Sequence, residues 1–400
     1  MIEKKLYELL MRVKENINYY SDILEGMNKF SDSKQVLEGM PILTKDELRM
    51  NIVDHIDRNI EMNVLKAILD YDKDFRSEYK YESCIGKLQV EYTSGTTGIP
   101  FFSIKTDEER IKLGIALWQQ RNRFLNLKPI DMCCFMHSGN KKHMEFLNNL
   151  SIKEQLYYLE KKRFESWHIY PGKLDEYYEF LLRENRPFNG VQYIECNGAY
   201  VSQVERKNYE KVFNCRLLNN YGSREVWNIA YSTVNDLFYI NEKSIYFELV
   251  DDYNNIITNC NEIGYIVVTS LTLYTMPFIR YKIGDRGYYI DDELGNRGIV
   301  IVPERNKIMG TELYGNRIFK EVVLFLNQIY EITNYDGMYI CQKNMKTFEV
   351  NINGFNGDKQ KFEDAFIKCF YLVSSFKRAY KFEFSYNKKK RKSLFSIKQE

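Results

Sequence analysis

The sequence predicts an α/β protein in two parts. A large N-terminal part combines an α/β unit with a β-rich unit, and a small α+β unit closes the chain. Three observations predict it. Between Pro129 and Phe213, short apolar runs such as MCCFM and GVQYI alternate with helical stretches such as KLDEYYEFLLREN, as strands do when helices cross between them. From Leu237 to Tyr289 the signal turns to strands, SIYFELV and GYIVVTSL, parted by the turn-rich DDYNNIITNCNEI. After GIVIVPERNK the pattern becomes TFEVNI, then a helical KFEDAFIKCFYLVSSF, then KFEFSY. That is an α+β unit of about 95 residues, within the usual domain range. A boundary near Glu304 divides the chain into residues 1–303 and 304–400.

The first hundred residues read as helices, with apolar positions at helical spacing in LYELLMRVKENI and DELRMNIVDHI. In MPILTKDEL, Thr44 can cap a helix and Glu47 stands in capping-box register. VEYTSGTTGIPFF then sets six Ser, Thr and Gly residues in succession, Thr93 to Gly98, and a helical segment from Asp107 to Phe124 follows. Strand, small-residue loop, helix is an order in which backbone N–H groups face an anion.

Composition narrows the function classes. Hydrophobic residues make up 44% and charged residues 28%, ordinary for a globular protein. A formal net charge of +2 supplies no global field for nucleic acid or an anionic membrane. With 7 prolines, long disordered linkers are not expected, and the 32 Tyr and 25 Phe belong to a compositional bias. Eight scattered cysteines without a CxxC pair suit a reducing cytoplasm. The N-terminus carries no apolar h-region, and no run of about 18 apolar residues occurs, so neither export nor membrane spanning is expected.

Three segments can carry chemistry. The Thr93–Gly98 run offers flexible N–H groups and short hydroxyls, the pieces that wrap a phosphate, although it is no Walker A loop because no lysine follows Gly98. NNYGSREVWNIA places a flat Tyr221 ring before Gly222 and Ser223, with Glu225 just beyond. An aromatic face suits adenine, and magnesium takes one or two carboxylates plus substrate oxygens. In MPFIRYKIGDRGYY, Gly284 permits a turn before Asp285, whose carboxylate can take both hydroxyls of a ribose. Taken alone, each also reads as an ordinary loop or surface turn, and for any single one that is the simpler reading.

Together, YTSGTTGIP, YGSREV and RYKIGD occur in the order and at roughly the separations of the adenylate-forming superfamily, the acyl-coenzyme A synthetases and their relatives. The chain resembles most the phenylacetate–coenzyme A ligase-like branch, which includes capsular-polysaccharide-associated members, through MPILTKDEL, GYIVVTSLTLYTMPFIRYKIGD and its compact length. The resemblance runs from about Pro41 to the C-terminus. It implies an N-terminal adenylation domain with a small mobile C-terminal domain. It also implies that Thr93, Ser94, Thr96 and Thr97 contact the β- and γ-phosphates of ATP, with Gly95 and Gly98 allowing close approach. Tyr221 and Gly222 would lie at the adenine, Ser223 near the α-phosphate, Glu225 on Mg²⁺ and Asp285 on the ribose. Asn197 and Gly198 fall where relatives carry Gly-Glu beside the adenine, with Ala199 in place of the acid. His137 or Gly139, in FMHSGNKKH, would touch the acid substrate.

The hinge of relatives is Gly-Arg followed by Asp. Here VPERNKIMG keeps Arg305, counted among the nucleotide contacts, and replaces the glycine with Glu304. No cysteines lie between Asp285 and Arg305, so no zinc is expected. NKKKRKSLFSI aligns Lys390 with the superfamily's catalytic lysine, with Lys388 and Lys389 as alternatives. A cation is needed there because carboxylate attack on the α-phosphate concentrates negative charge on its oxygens. The bland reading of this basic run is a solvated or nucleic-acid-attracting tail. His143, His168, Trp167 and Trp227 read more simply as packed or surface residues. The implied activity is ATP- and Mg²⁺-dependent activation of a carboxylic acid to an acyl-adenylate, then transfer to coenzyme A or another thiol or amine acceptor. The alternative is a nucleotide-binding homologue that has lost adenylation.

Overall fold

The computed structural model describes residues 2–25, 32–69, 79–93, 101–125, 132–135, 146–198, 201, 203–232, 237–302, 319, 322–323, 325–326, 329–335, 337–344, 346–374, 379–387 and 395–399. The chain divides into two compact units, the first Met1–Ser94 with Pro100–Val302 and the second Gly95–Ile99 with Pro303–Glu400.

The first unit opens with α1 (Ile2–Asn16), α2 (Asn18–Ile23), α3 (Ser33–Gly39), α4 (Lys45–Met50) and α5 (Met62–Leu69). In α1 the apolar positions Leu6, Leu9, Leu10 and Val13 recur at helical spacing and are all buried. At α4 the expected capping box is present, with Glu47 N donating to Thr44 Oγ1 at 3.3 Å and Thr44 N to Glu47 Oε2 at 2.6 Å. The all-helical expectation for the first hundred residues fails from Tyr79. Residues Tyr79–Ser83 (β1) and Gly86–Thr93 (β2) are antiparallel strands, joined to β3 (Phe101–Thr106) in a three-stranded sheet.

The strand, loop, helix order is corrected at the same place. The segment after Thr93 leads into β3, which pairs antiparallel with β2, so the loop joins two strands. Helix α6 (Asp107–Leu125) begins only afterwards, capped by Thr106 and Glu109. The alternation of β3 is hidden because five of its six residues are buried.

An eleven-stranded sheet forms the body of this unit, in the order β11-β10-β12-β13-β14-β9-β8-β7-β6-β5-β4. Its strands β4 (Met132–Cys134), β5 (Ser166–Ile169), β6 (Tyr193–Asn197) and β7 (Arg216–Ser223) are parallel and alternate with α7 (Ile152–Lys162), α8 (Pro171–Arg183) and α9 (Gln203–Phe213). Antiparallel strands continue the sheet: β8 (Trp227–Ser232), β9 (Phe238–Ile240), β10 (Ile245–Val250), β11 (Ile256–Ile257), β12 (Gly264–Ser270), β13 (Tyr281–Asp291) and β14 (Arg297–Val302). The α/β and β-rich parts are thus one sheet, meeting at the Ile299–Phe238 pairing of β14 and β9. Trp167, Tyr177, Phe188 and Phe213 pack the core of the parallel half.

The second unit is the expected α+β element: a four-stranded sheet β17-β16-β15-β18 with α10 (Lys359–Ser374). Its strands are β15 (Gly337–Asn344), β16 (Thr347–Asn353), β17 (Lys381–Asn387) and β18 (Phe395–Gln399). Phe348, Phe362, Phe366 and Phe370 fill its core. Among the described residues no helix is long and apolar enough to cross a membrane.

Candidate active site

The Tyr221–Glu225 segment is joined by hydrogen bonds that cross the sequence to Asp285 and to the strand end at Tyr92, which precedes the small-residue run. Tyr221, near the end of β7, donates its hydroxyl to Asp285 Oδ2 at 2.9 Å. The Tyr221 ring is half-buried, edge-on to Phe238. Asp285 stands within β13, where a bulge replaces the expected turn. Lys282 pairs with Val267 and Arg286 with Tyr265, so three residues of β13 oppose Ile266 alone. Gly284 supplies the positive φ of 87° that such a bulge requires, and this aims Asp285 at Tyr221. Arg280 does not pair with Asp285. Its guanidinium lies on Glu248 at 2.9 Å and on the carbonyls of Glu38 and Met40.

The turn 224–226 joins β7 to β8 and carries Glu225. A Cβ at Gly222 would lie 2.0 Å from the Trp227 carbonyl oxygen, so the close approach of the two strands demands glycine there. Glu225 is 3% exposed. Its Oε1 receives Lys45 Nζ at 2.9 Å and the Tyr281 hydroxyl at 3.2 Å. Burial works to raise this carboxyl, but the Lys45 ammonium, together with hydrogen bonds from the Glu225 backbone and Ser223, outweighs burial and holds it below the ordinary carboxylate range.

The same turn is fastened to the strands that flank the small-residue run. Arg224 Nη1 donates to the carbonyl of Tyr92 at 3.0 Å, one residue before Thr93. From β3, Lys105 Nζ donates to the Arg224 carbonyl at 2.9 Å, to Ser103 Oγ at 2.6 Å and to Glu91 Oε2 at 3.0 Å. Trp227 Nε1 reaches the same Glu91 oxygen at 3.1 Å. Burial pushes the Glu91 carboxyl up, yet Lys105 and Trp227 prevail and keep it below its usual range. Of the run itself, Thr93 is the last residue of β2, while Ser94, Gly95, Thr96, Thr97 and Gly98 lie outside the described residues. So do His137, Gly139, His143, Arg305 and the basic run with Lys390.

Asn197 ends β6 in register with Asn220, the residue before Tyr221, so it arrives beside the same β7 terminus with Gly198 following. Beneath lies a network that sequence reading missed. Glu195 is buried and accepts two bonds from Arg121 at 2.8 and 2.9 Å, one from Tyr231 at 2.6 Å and one from Asn220 at 2.8 Å. His168 Nε2 stands 3.4 Å from Glu195 Oε1. Burial would raise the Glu195 carboxyl, but the Arg121 guanidinium, helped by the Tyr231 hydrogen bond, drives it far below normal, and burial lowers His168 to about 4. His168 is therefore a packed neutral imidazole, and Trp167 is core. Lys45 was also missed: TKDEL signalled only a helix start.

Ligand chemistry can be tested on these observations. Among the described residues no group of three or more His, Cys, Asp and Glu could hold a metal ion. A site resting on protein carboxylates alone is thus absent there, whereas Mg²⁺ needs only one carboxylate when phosphate oxygens complete its shell. Glu225 fits that role: it is anionic, buried, and takes both named contacts through Oε1.

No protein-family model matches the chain, and no curated protein is similar to it in sequence. Its structure is similar over the whole chain to that of 2-hydroxyisobutyryl-CoA ligase. With that ligase in a postadenylation state holding 2-HIB-AMP, the TM-score is 0.60 at 15% identity, covering 100% of this chain and 89% of that one. With its thioesterification state holding 2-HIB-AMP and CoA, the TM-score is 0.58 at 15% identity and the same coverage. With its open conformation the values are 0.53 and 14%, covering 100% and 90%. The chain is built on the fold of this coenzyme A ligase.

Proposed function

We propose that the protein is an adenylate-forming acid ligase: it activates a carboxylic acid with ATP, releases pyrophosphate and passes the acyl group to coenzyme A or another thiol or amine acceptor. The observation that carries this reading is the convergence of the Tyr92–Thr93 strand end, the Tyr221–Glu225 segment and Asp285 through direct hydrogen bonds. The strand end that precedes the run suited to phosphate lies with the segments suited to adenine with metal and to ribose, on a fold shared with a ligase captured with 2-HIB-AMP.

In this reading the Tyr221 ring lies against adenine, and the Asp285 carboxylate trades its Tyr221 partner for the ribose hydroxyls. Thr93, Ser94, Thr96 and Thr97 hold the terminal phosphates, with Gly95 and Gly98 leaving room for them. Asn197, Gly198, Gly222 and Ser223 line the base and the α-phosphate. Glu225 holds Mg²⁺, which when bound neutralises phosphate charge. His137 and Gly139 face the acid, while Arg305 and Lys390 belong to the residues from 304 onward that we assign to a mobile domain. Catalysis rests on in-line placement of the carboxylate and on fixed cations that stabilise charge as it develops on the α-phosphate. The phenylacetate–coenzyme A ligase-like branch is the relationship we assign on the quoted motifs, and cytoplasm the compartment.

The test is exchange of labelled pyrophosphate into ATP across a panel of carboxylic acids. Exchange that depends on one acid or class, and that Lys390→Ala abolishes while ATP still binds, is the expected result. ATP binding without exchange on any acid would replace this reading with a nucleotide-binding homologue. Loss of ATP binding altogether would sink both.

A further inference from the structure

Lys45 is a charged side chain at the site to which the reaction assigns no task. Its Nζ stands 2.9 Å from Glu225 Oε1, and its side chain is 31% exposed against 5% for Glu225, so the ammonium has a way to solvent that the carboxylate lacks. The same Nζ lies 5.4 Å above the ring of Phe101, the first residue of β3 and so the strand that leads out of the small-residue run. The backbone behind it is fixed. The Thr44–Glu47 capping box holds the start of α4. Leu43 N donates to the Arg280 carbonyl at 3.1 Å, and Lys282 N to the Leu43 carbonyl at 2.9 Å, which pins the approach to β13.

A carboxylate buried as deeply as Glu225 requires a positive partner. Tyr281 offers only a neutral donor to the same oxygen, so Lys45 supplies the charge. An ammonium and a divalent ion are alternative answers to that requirement, and their mutual repulsion disfavours holding both against one carboxylate.

We propose that Lys45 is a placeholder cation at the metal site: it occupies Glu225 until a divalent ion arrives with the nucleotide, is displaced, and then turns its ammonium to the phosphate oxygens the ion brings. The proposal deepens the nucleotide reading above and rests on it. Lys45 is a positioning residue before displacement and a phosphate contact afterwards. The stem need only rotate, because its anchor on α4 stays in place.

The experiment uses the full chain and Mn²⁺ as the divalent ion, followed by its electron paramagnetic resonance signal without nucleotide. Lys45→Met should bind Mn²⁺ about tenfold more tightly than the parent, since the competing charge is gone. The gain should vanish when Glu225→Gln is added. Equal Mn²⁺ binding with and without Lys45 would overturn the displacement. In the presence of Mn²⁺, Lys45→Met should bind ATP about tenfold more weakly, and undiminished ATP affinity would overturn the phosphate contact. Should Lys45→Met fail to fold, Lys45→Gln keeps a donor for the carboxylate while removing the charge, and the same two comparisons decide. If the parent chain binds no ATP, the nucleotide reading fails, while the Mn²⁺ comparison still decides whether Lys45 and a divalent ion compete.

Discussion

Replacing Lys105 with Met tests whether the site is held together as described. The Lys105 side chain is 0% exposed and its partner Glu91 7%. Truncating one member of a buried ion pair costs about 3–5 kcal/mol, because the other charge is left without compensation. Two features reduce that here: Arg110 Nε stays 3.6 Å from Glu91, and the Trp227 indole still donates at 3.1 Å. Met also fills most of the volume, so the expected loss is about 2–4 kcal/mol. Adding Glu91→Gln removes the stranded charge and should recover about half of the loss, about 1–2 kcal/mol. Urea unfolding followed by tryptophan fluorescence is the suitable assay, since Trp118, Trp167 and Trp227 all belong to the first unit. Because Lys105 also holds the Arg224 carbonyl, ATP affinity should fall in the single variant. A Lys105→Met chain within about 1 kcal/mol of the parent, or a double variant no more stable than the single, would refute the clamp.

Three further outcomes are expected. His168 is held near 4 by burial against an ordinary 6.5, so the folded state binds fewer protons and stability falls as pH drops through that window. The loss reaches about 3 kcal/mol by pH 4, and His55, also held near 4, adds in the same direction. A urea midpoint whose pH slope is unchanged by His168→Gln would contradict this. Arg121→Met should cost about 3–5 kcal/mol, with Glu195→Gln restoring part of it, because Glu195 would otherwise remain charged and buried; additive losses in urea unfolding would argue against the network. Asp285→Asn should weaken ATP binding by about ten- to a hundredfold, whereas Tyr221→Phe, which keeps the ring, should change it by no more than about threefold. Calorimetry decides, and wild-type affinity in Asp285→Asn would remove the ribose role.

Much of the fold was legible because its elements carry their own periodicity. Helix α1, the Thr44 cap and the strand–helix–strand run of the second unit each announce themselves locally. The misreadings have two local causes. In β3, five of six residues are buried, so the polar–apolar alternation that marks a half-exposed strand is absent, and FFSIKT reads as a prelude to the helix. The bulge at Gly284 was mistaken for a turn because a glycine before an acid serves both, and only the register with β12 separates them.

The site divides the same way, and the division has a physical basis. A ring, a carboxylate and the glycines beside them must sit at fixed offsets along one strand end, so YGSRE and KIGD carry their chemistry in the local sequence. What holds such groups in place comes from elsewhere in the chain. Trp227 reaches Glu91 across 136 residues, Arg121 reaches Glu195 across 74, and Tyr221 reaches Asp285 across 64. No periodicity reports such pairs, because a carboxylate constrains only the chemistry of its partner, a cation or a hydrogen-bond donor, and not its position in sequence. Lys45 is the sharpest instance: TKDEL reads as an ordinary helix start, and only folding discloses that its lysine answers Glu225. Motifs therefore locate the groups that meet a ligand, while the charges that set their protonation and metal affinity must be read from the folded chain.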